Sequence, residues 1–318
     1  MVSYLSILLR RPPSYSILDA KFFDTNPATA KFQRSNTTVG NGPLEVSASV
    51  SAVNEMHREK QVTCVATDLY ILVPESEVAI YGHWLIDIIP KYFVAQSKTD
   101  QRVKIIVVGA IPDFVKGILL FLNLDPNLVC STDQLLVVEP ISIFEVSDLR
   151  YFDFYNILAF RRQVKPKINV AITAHGIQRP LQQGRYFLSR SNWGQSFEDT
   201  RSLVNGIEVE EYFLSHGFEV VHPENYTTLE LVSKLHNAEI VAGEAGSALH
   251  ISIFCSSRTR FINLQSFRQE HLIQSTLCAI NRQRIAYIWG RNETAHWSSN
   301  FSVDVRSLER GFKLGLLD

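Results

Sequence analysis

Glu239-Ile-Val-Ala-Gly-Glu-Ala-Gly-Ser-Ala-Leu-His-Ile-Ser-Ile-Phe254 joins a short apolar strand to a helical pattern through a run of small residues. Gly243, Ala245, Gly246 and Ser247 let a ligand approach the backbone closely, and the first amides of the following helix carry a partial positive charge. Such a turn cradles a phosphate. It also serves as a plain tight turn in an α/β sheet, and on spacing alone both readings stand. The six-position glycine fingerprint is incomplete and no acidic residue follows at the dinucleotide spacing, which argues against a dehydrogenase.

The stretch sits inside a regular alternation. Strands at Arg185 to Leu188, Phe218 to His222, Glu239 to Ala242, Thr259 to Leu264 and Arg284 to Trp289 are separated by helical patterns at Ile207 to His216, Thr228 to Asn237, Ser247 to Phe254 and Glu270 to Ile280. This predicts a doubly wound parallel sheet. A first alternation precedes it: strand Val103 to Val108, helix Asp113 to Leu122, strands Leu128 to Cys130 and Leu135 to Val138, and a helix from Asp148 to Val164 ended by Lys165-Pro-Lys. The runs Val62 to Ala66 and Leu69 to Val73 read as a pair of strands, and Leu44 to Val50 as another strand in an irregular, mostly β opening. With 318 residues, two domains are expected: 1–165, a linker at 166–184, 185–290, and a tail at 291–318 that packs back on them.

The charge balance, 31 Lys and Arg against 32 Asp and Glu, gives a net charge of −1 and no nucleic-acid signature. The four cysteines, Cys64, Cys130, Cys255 and Cys278, lack metal-ligand spacing and read as buried free thiols of a reducing compartment. The opening Met1-Val-Ser-Tyr-Leu-Ser-Ile-Leu-Leu-Arg-Arg reverses the order of a secretory signal, and no run reaches membrane-spanning length. The expected location is the cytoplasm, with a peripheral position on the inner face of the membrane as the alternative. No metal site is expected, because neither a His-x-x-x-His pair with a nearby Glu nor an Asp-x-Asp pair occurs.

Two clusters carry chemistry. In Tyr81-Gly-His-Trp-Leu-Ile-Asp-Ile-Ile-Pro-Lys-Tyr-Phe93, His83, Asp87 and Lys91 interrupt an otherwise apolar helix at i, i+4, i+8 and share one stripe. They form a hydrogen-bonded core pair with Lys91 at the rim, or a general base whose carboxylate orients the ring and raises its pKa. In Gly184-Arg-Tyr-Phe-Leu-Ser-Arg-Ser191, Ser189, Arg190 and Ser191 end a strand at the edge where α/β sheets bind ligands, and Arg190 is placed for phosphate. Arg201 would add a second guanidinium for a diphosphate, or would pair with Glu198 or Asp199 on the surface. Glu224, after Pro223, would accept a ribose hydroxyl or merely favour a helix start.

Gly82-His-Trp-Leu-Ile-Asp-Ile-Ile-Pro90, Arg185-Tyr-Phe-Leu-Ser-Arg190, Gly217-Phe-Glu-Val-Val-His-Pro-Glu224 and Gly243-Glu-Ala-Gly-Ser-Ala-Leu249 with Phe254 together resemble family 61 glycosyltransferases, in order and in spacing. The resemblance covers residues 78 to 265. It implies a GT-B architecture, two Rossmann-like domains facing a cleft, and metal-independent, inverting transfer from a nucleotide sugar, with a UDP-sugar as one candidate, to a glycan or lipid-linked saccharide. No cofactor is implied beyond that co-substrate. His83 with Asp87 would be the catalytic pair, and Ser189, Arg190, Arg201, Glu224, Gly243, Glu244, Ala245, Gly246 and Ser247 the donor site. Ala245, Ile251 and Leu231 depart from the family's pattern, and they motivate the rival of a catalytically degenerate partner in polysaccharide assembly. A pyruvyl transferase on the same architecture is the third reading.

Overall fold

The computed structural model describes residues 15–22, 32–34, 61–64, 68–73, 78–132, 134–137, 141–146, 154–174, 183–191, 202–267, 272–294 and 300–315. The chain divides into two compact units, Met1–Gln163 and Val164–Asp318. Both are mixed α/β with parallel strands. The predicted strand Leu44 to Val50 lies outside the described residues.

In the first unit the elements are β1 (Tyr15–Phe22), β2 (Phe32–Arg34), β3 (Gln61–Cys64), β4 (Asp68–Val73), helix α1 from 81 to 96, β5 (Arg102–Val108), α2 (Asp113–Phe121), β6 (Val129–Thr132), β7 (Gln134–Val137) and β8 (Ile141–Val146); α3 (Phe154–Ala174) runs across the division after Gln163. A six-stranded sheet runs in the order β2-β1-β8-β4-β5-β6; β8, β4, β5 and β6 are parallel, whereas β1 is antiparallel to both β8 and β2. The expected pairing of the two runs near residues 62 and 73 is corrected. β3 pairs in parallel with β7, and β4 is central in the main sheet. Leu69, Tyr70, Ile71 and Val73 are all buried, so β4 has both faces covered and takes a neighbour on each side. Its first residue, the buried Asp68, is held by Arg102 at 2.9 Å and Lys104 at 3.5 Å, which fixes the register against β5.

Helix α1 is not uniform. Tyr81–His83 and Ile89–Gln96 are α-helical, but Trp84–Ile88 is a π turn. Pro90 supplies the cause. It has no N–H to donate and its ring would strike the carbonyl of Ile86, so the preceding turn widens. In α3 the chain passes through Pro166, where the sequence predicts a stop, and stays helical to Ala174. Ile157, Phe160, Val164, Ile168 and Ile172 are buried at three- and four-residue spacing, while Pro166 is exposed. The continuous apolar stripe outweighs the roughly 3 kcal/mol penalty of an internal proline.

The second unit contains β9 (Arg185–Leu188), α4 (Gly206–Ser215), β10 (Phe218–Val221), α5 (Thr228–Leu235), β11 (Ile240–Glu244), a 3₁₀ helix (Ser247–Phe254), β12 (Arg260–Ser266), α6 (Ile273–Asn281), β13 (Arg284–Asn292), β14 (Phe301–Ser302) and α7 (Val305–Lys313). The sheet order is β10-β9-β11-β12-β13-β14, parallel except for β14. Strand order reverses between β9 and β11. On one face Phe187, Ile240, Ala242, Ile262 and Leu264 pack against Val209 and Phe213 of α4 and Leu308 of α7. Right-handed crossovers put α5 and α6 on the other face. Helix α5 starts with a reciprocal cap: Thr227 Oγ1 accepts the Glu230 amide at 3.3 Å, and Glu230 Oε2 accepts the Thr227 amide at 2.8 Å. The predicted helix after Ser247 is present at the expected place, with 3₁₀ winding.

Phe213 is fully buried, stacks on Phe187 with centroids 4.6 Å apart and meets Phe218 edge-on at 4.9 Å. Phe213→Ala is expected to lower the unfolding free energy by about 3–5 kcal/mol, read by urea denaturation. A loss under about 1 kcal/mol would mean that α4 does not seal this core.

Candidate functional site

The carboxyl ends of β9 and β11 lie side by side, because Leu188 pairs with Gly243 in parallel register. β10 flanks β9 on the other side, with Val221 opposite Leu188. This is the topological switch point of the sheet, where the strands to left and right lead away from a shared crevice. Ser189, Arg190, Gly243, Glu244, Ala245, Gly246 and Ser247 are therefore brought to one place.

Arg190 reaches across that seam. Its Nη1 donates to the carbonyl of Ala245 at 3.4 Å, and the guanidinium passes over Gly246. A Cβ on Gly246 would stand 3.2 Å from Nη1, tighter than an ordinary contact, so the guanidinium would have to give by a few tenths of an ångström. The φ of Gly246 is 164°, extended backbone open to any residue, and close approach is what requires glycine here. Gly243 has a second packing role: a Cβ there would lie 3.0 Å from the Leu188 carbonyl and 3.4 Å from Leu249 of the 3₁₀ helix. Its absence lets that helix settle onto the strands with its amino end, at Ser247, beside Arg190.

Glu244 looks misplaced in such a site, since a carboxylate next to a diphosphate is repulsive. The structure turns it away. Glu244 is 6% exposed, and its Oε1 accepts the backbone amide of Arg190 at 3.2 Å, with the amide of Leu203 as a second donor. Burial raises its pKa; the Arg190 charge and the two amides oppose the rise, and nearby Glu210 adds to it. Glu244 is thus a buried clamp on the backbone at Arg190 and Leu203.

Glu210 of α4 was not visible as a site residue in the sequence, whereas the sequence places Ser191 at this edge with Ser189 and Arg190. Ser189 Oγ donates to Glu210 Oε1, lies 3.0 Å from Ser191 Oγ and accepts the Ser191 amide at 3.0 Å. The Ser189–Glu210 contact joins residues 21 apart in the chain, and no local pattern announces it. Glu224 sits at the end of β10 in a 3₁₀ turn (Pro223–Asn225), largely exposed, with Oε1 3.9 Å from Nδ1 of His222. His222 directly follows β10, opposite the end of β9, and is a further group on this edge that the sequence reading passed over. Arg201 lies outside the described residues.

In the first unit, His83 ends the opening turn of α1 and Asp87 lies in the π turn. Asp87 is buried and its carboxylate closes on Lys91, with Oδ1 at 3.0 Å and Oδ2 at 3.1 Å from Nζ. The expected rise in the His83 pKa is corrected: burial lowers it, and the Lys91 charge lowers it further. A half-buried imidazole so placed is neutral at pH 7 and accepts a proton. Cys255 and Cys278 are buried free thiols, with Cys278 pushed up to about 12 by burial, whereas Cys130 is half-exposed. Among the described residues no group of three His, Cys, Asp or Glu is placed to hold a metal ion, and no helix is long and apolar enough to cross a membrane.

The model of the glycosyltransferase 61 family matches residues 81–262, a stretch that opens at α1 and closes within β12. The chain belongs to this family. Curated proteins offer no sequence match. The matched span takes in every described residue assigned above to either cluster, so the family 61 member carries both the α1 stripe and the seam between β9 and β11 inside its family region.

The raised pKa of Glu244 has a signed consequence. Between the ordinary glutamate value of 4.5 and its folded value, the native state holds a proton that the unfolded state has released, so stability falls as pH rises through that window. Glu244→Gln keeps an acceptor for the Arg190 amide and removes this fall. Melting temperatures across a pH series should therefore decline less above pH 4.5 in the variant than in the parent; parallel curves would show that Glu244 is ionised in the native state.

Proposed function

We propose that this glycosyltransferase moves a sugar from a nucleotide-sugar donor to a hydroxyl of a glycan or lipid-linked saccharide, with inversion and without a metal ion. The observation that carries the reading is Arg190 lying across Gly246 at the switch point, beside the amino end of the 3₁₀ helix. A guanidinium and outward-facing amides supply the positive charge that a leaving diphosphate needs, and they are fixed before the reaction begins. The donor's ribose would lie toward Glu224 and its diphosphate between Arg190 and Ser247, with Ser189 and Arg201 completing the donor side. UDP is the nucleotide to test first. The overall arrangement in this reading is GT-B, with the N-terminal unit supplying the acceptor side and a cytoplasmic setting for the reaction.

His83 serves as general base. It takes the proton from the acceptor hydroxyl while the oxygen attacks the anomeric carbon from the side opposite the diphosphate, which inverts the configuration. Its lowered pKa keeps it unprotonated at neutral pH, and Asp87 acts by holding Lys91. The degenerate-partner rival rests on Ala245, Ile251 and Leu231. Ile251 and Leu231 are buried in the core, where they pack and take nothing from the ligand edge.

Two outcomes follow. His83→Asn should abolish turnover while leaving UDP binding intact, and in the parent the rate should climb with pH through a midpoint below 6.5, the ordinary histidine value; full activity in the variant sinks the base assignment. Arg190→Ala should weaken UDP binding by at least about tenfold, the loss of one charge-assisted hydrogen bond, as measured by calorimetry. An unchanged affinity would refute its role.

A further inference from the structure

The carboxyl edge of the same sheet carries a second feature at β12 and β13. Phe267 follows β12 and is 69% exposed; Trp289, near the end of β13, is 45% exposed. Their rings stand 6.2 Å apart at 77°, forming an open corner. The corner is preset from beneath: Tyr287 stacks on Trp289 at 5.6 Å and 17°, and its hydroxyl accepts the Ser275 amide at 3.0 Å and bonds the Ser275 hydroxyl at 2.8 Å. The Phe267 amide donates to the Gly290 carbonyl at 3.0 Å, which ties the two sides together.

The rings open on a cavity of about 550 Å³ whose remaining wall is polar, with Arg291, Asn292, Glu293 and Thr294. That volume falls within the range of small-molecule sites, roughly 300–1,000 Å³. Large exposed aromatic surface rimmed by polar groups marks a binding site. The ring faces are electron-rich and attract polarised C–H groups. A pyranose offers such a C–H face, with hydroxyls around its edge for amide, carboxylate, guanidinium and hydroxyl partners. Arg291 and Glu293 cancel in charge, which suits an uncharged ligand. One face of Trp289 is already taken by Tyr287, and Phe267 stands edge-on, so a flat base could not be sandwiched between parallel rings.

We propose that this corner is a saccharide subsite that holds neutral pyranose rings of the acceptor glycan away from the reacting hydroxyl. It rests on the reading of the chain as a transferase acting on glycans. Binding energy gathered at such remote rings positions the acceptor for reaction.

The test titrates the full chain separately with xylotetraose, cellotetraose, chitotetraose and UDP, followed by saturation-transfer NMR. At least one oligosaccharide should bind. Trp289→Ala and Phe267→Ala should each weaken it by about tenfold while leaving UDP affinity unchanged, Trp289→Phe should restore part of the loss, and Arg190→Ala should do the reverse, losing UDP alone. The unchanged UDP affinity also reports that the ring variants fold, and Phe267, the more exposed ring, provides a second reading if Trp289→Ala does not. Failure of all three oligosaccharides to bind, or equal affinity in the ring variants, would overturn the subsite. Loss of UDP binding in Trp289→Ala would reassign the corner to the donor's base. Oligosaccharide binding without any UDP binding would uphold the subsite and overturn the donor site instead.

Discussion

The position of β9 between β10 and β11 is the constraint on which the placement of Arg190 depends. A strand at the turning point of a doubly wound sheet has neighbours whose connections leave in opposite directions, so the space beyond its carboxyl end is empty of backbone. Arg190 occupies that space one residue after Ser189. Had β9 been an outer strand, the same arginine would be an ordinary surface side chain. The geometry of Gly243 and Gly246 serves this placement: one lets Leu249 close down on the strands, the other lets the guanidinium cross.

Much of this was legible in the sequence. The strand positions of the C-terminal sheet follow from apolar runs between helical patterns, and Ser189, Arg190 and the turn after β11 meet at one edge because the strand-end logic of α/β sheets is local. Burial was less legible. Glu244 reads as a ligand-facing group from its place in the turn, yet two backbone amides recruit it inward, and nothing nearby in the chain shows that Leu203 supplies one of them. Glu210 escaped notice for the same reason, since its partner Ser189 lies just after β9, 21 residues earlier.

The N-terminal unit shows the opposite balance. Its helix α1 was readable as buried from composition alone, and the polar stripe as well. The electrostatics did not follow from spacing, because burial of the imidazole lowers its pKa and the charge on Lys91, which pairs with Asp87, lowers it further. The pairing of β3 and β4 failed because adjacency along the chain was taken for adjacency in the sheet. Buried Leu69, Tyr70, Ile71 and Val73, which occupy both faces of β4, were the sign that it lies centrally. At Pro166 a strong local signal yielded to a long apolar stripe, as tertiary burial commonly overrides propensity.

Residues 202–205 and 300–303 are stitched together. The Val204 amide donates to the Phe301 carbonyl at 2.8 Å, the Phe301 amide to the Ser202 carbonyl at 3.1 Å, and Asn205 bridges to Val303 through both ends of its amide, at 2.8 Å and 3.0 Å. Those Asn205–Val303 partners are 98 residues apart. Contacts of such separation are slow to close, and these form only when residues 300–303 have been synthesised. Leu203, which gives its amide to Glu244, is held by this stitch. A nascent chain therefore lacks this support for the clamp on Arg190 until residues 300–303 have been made.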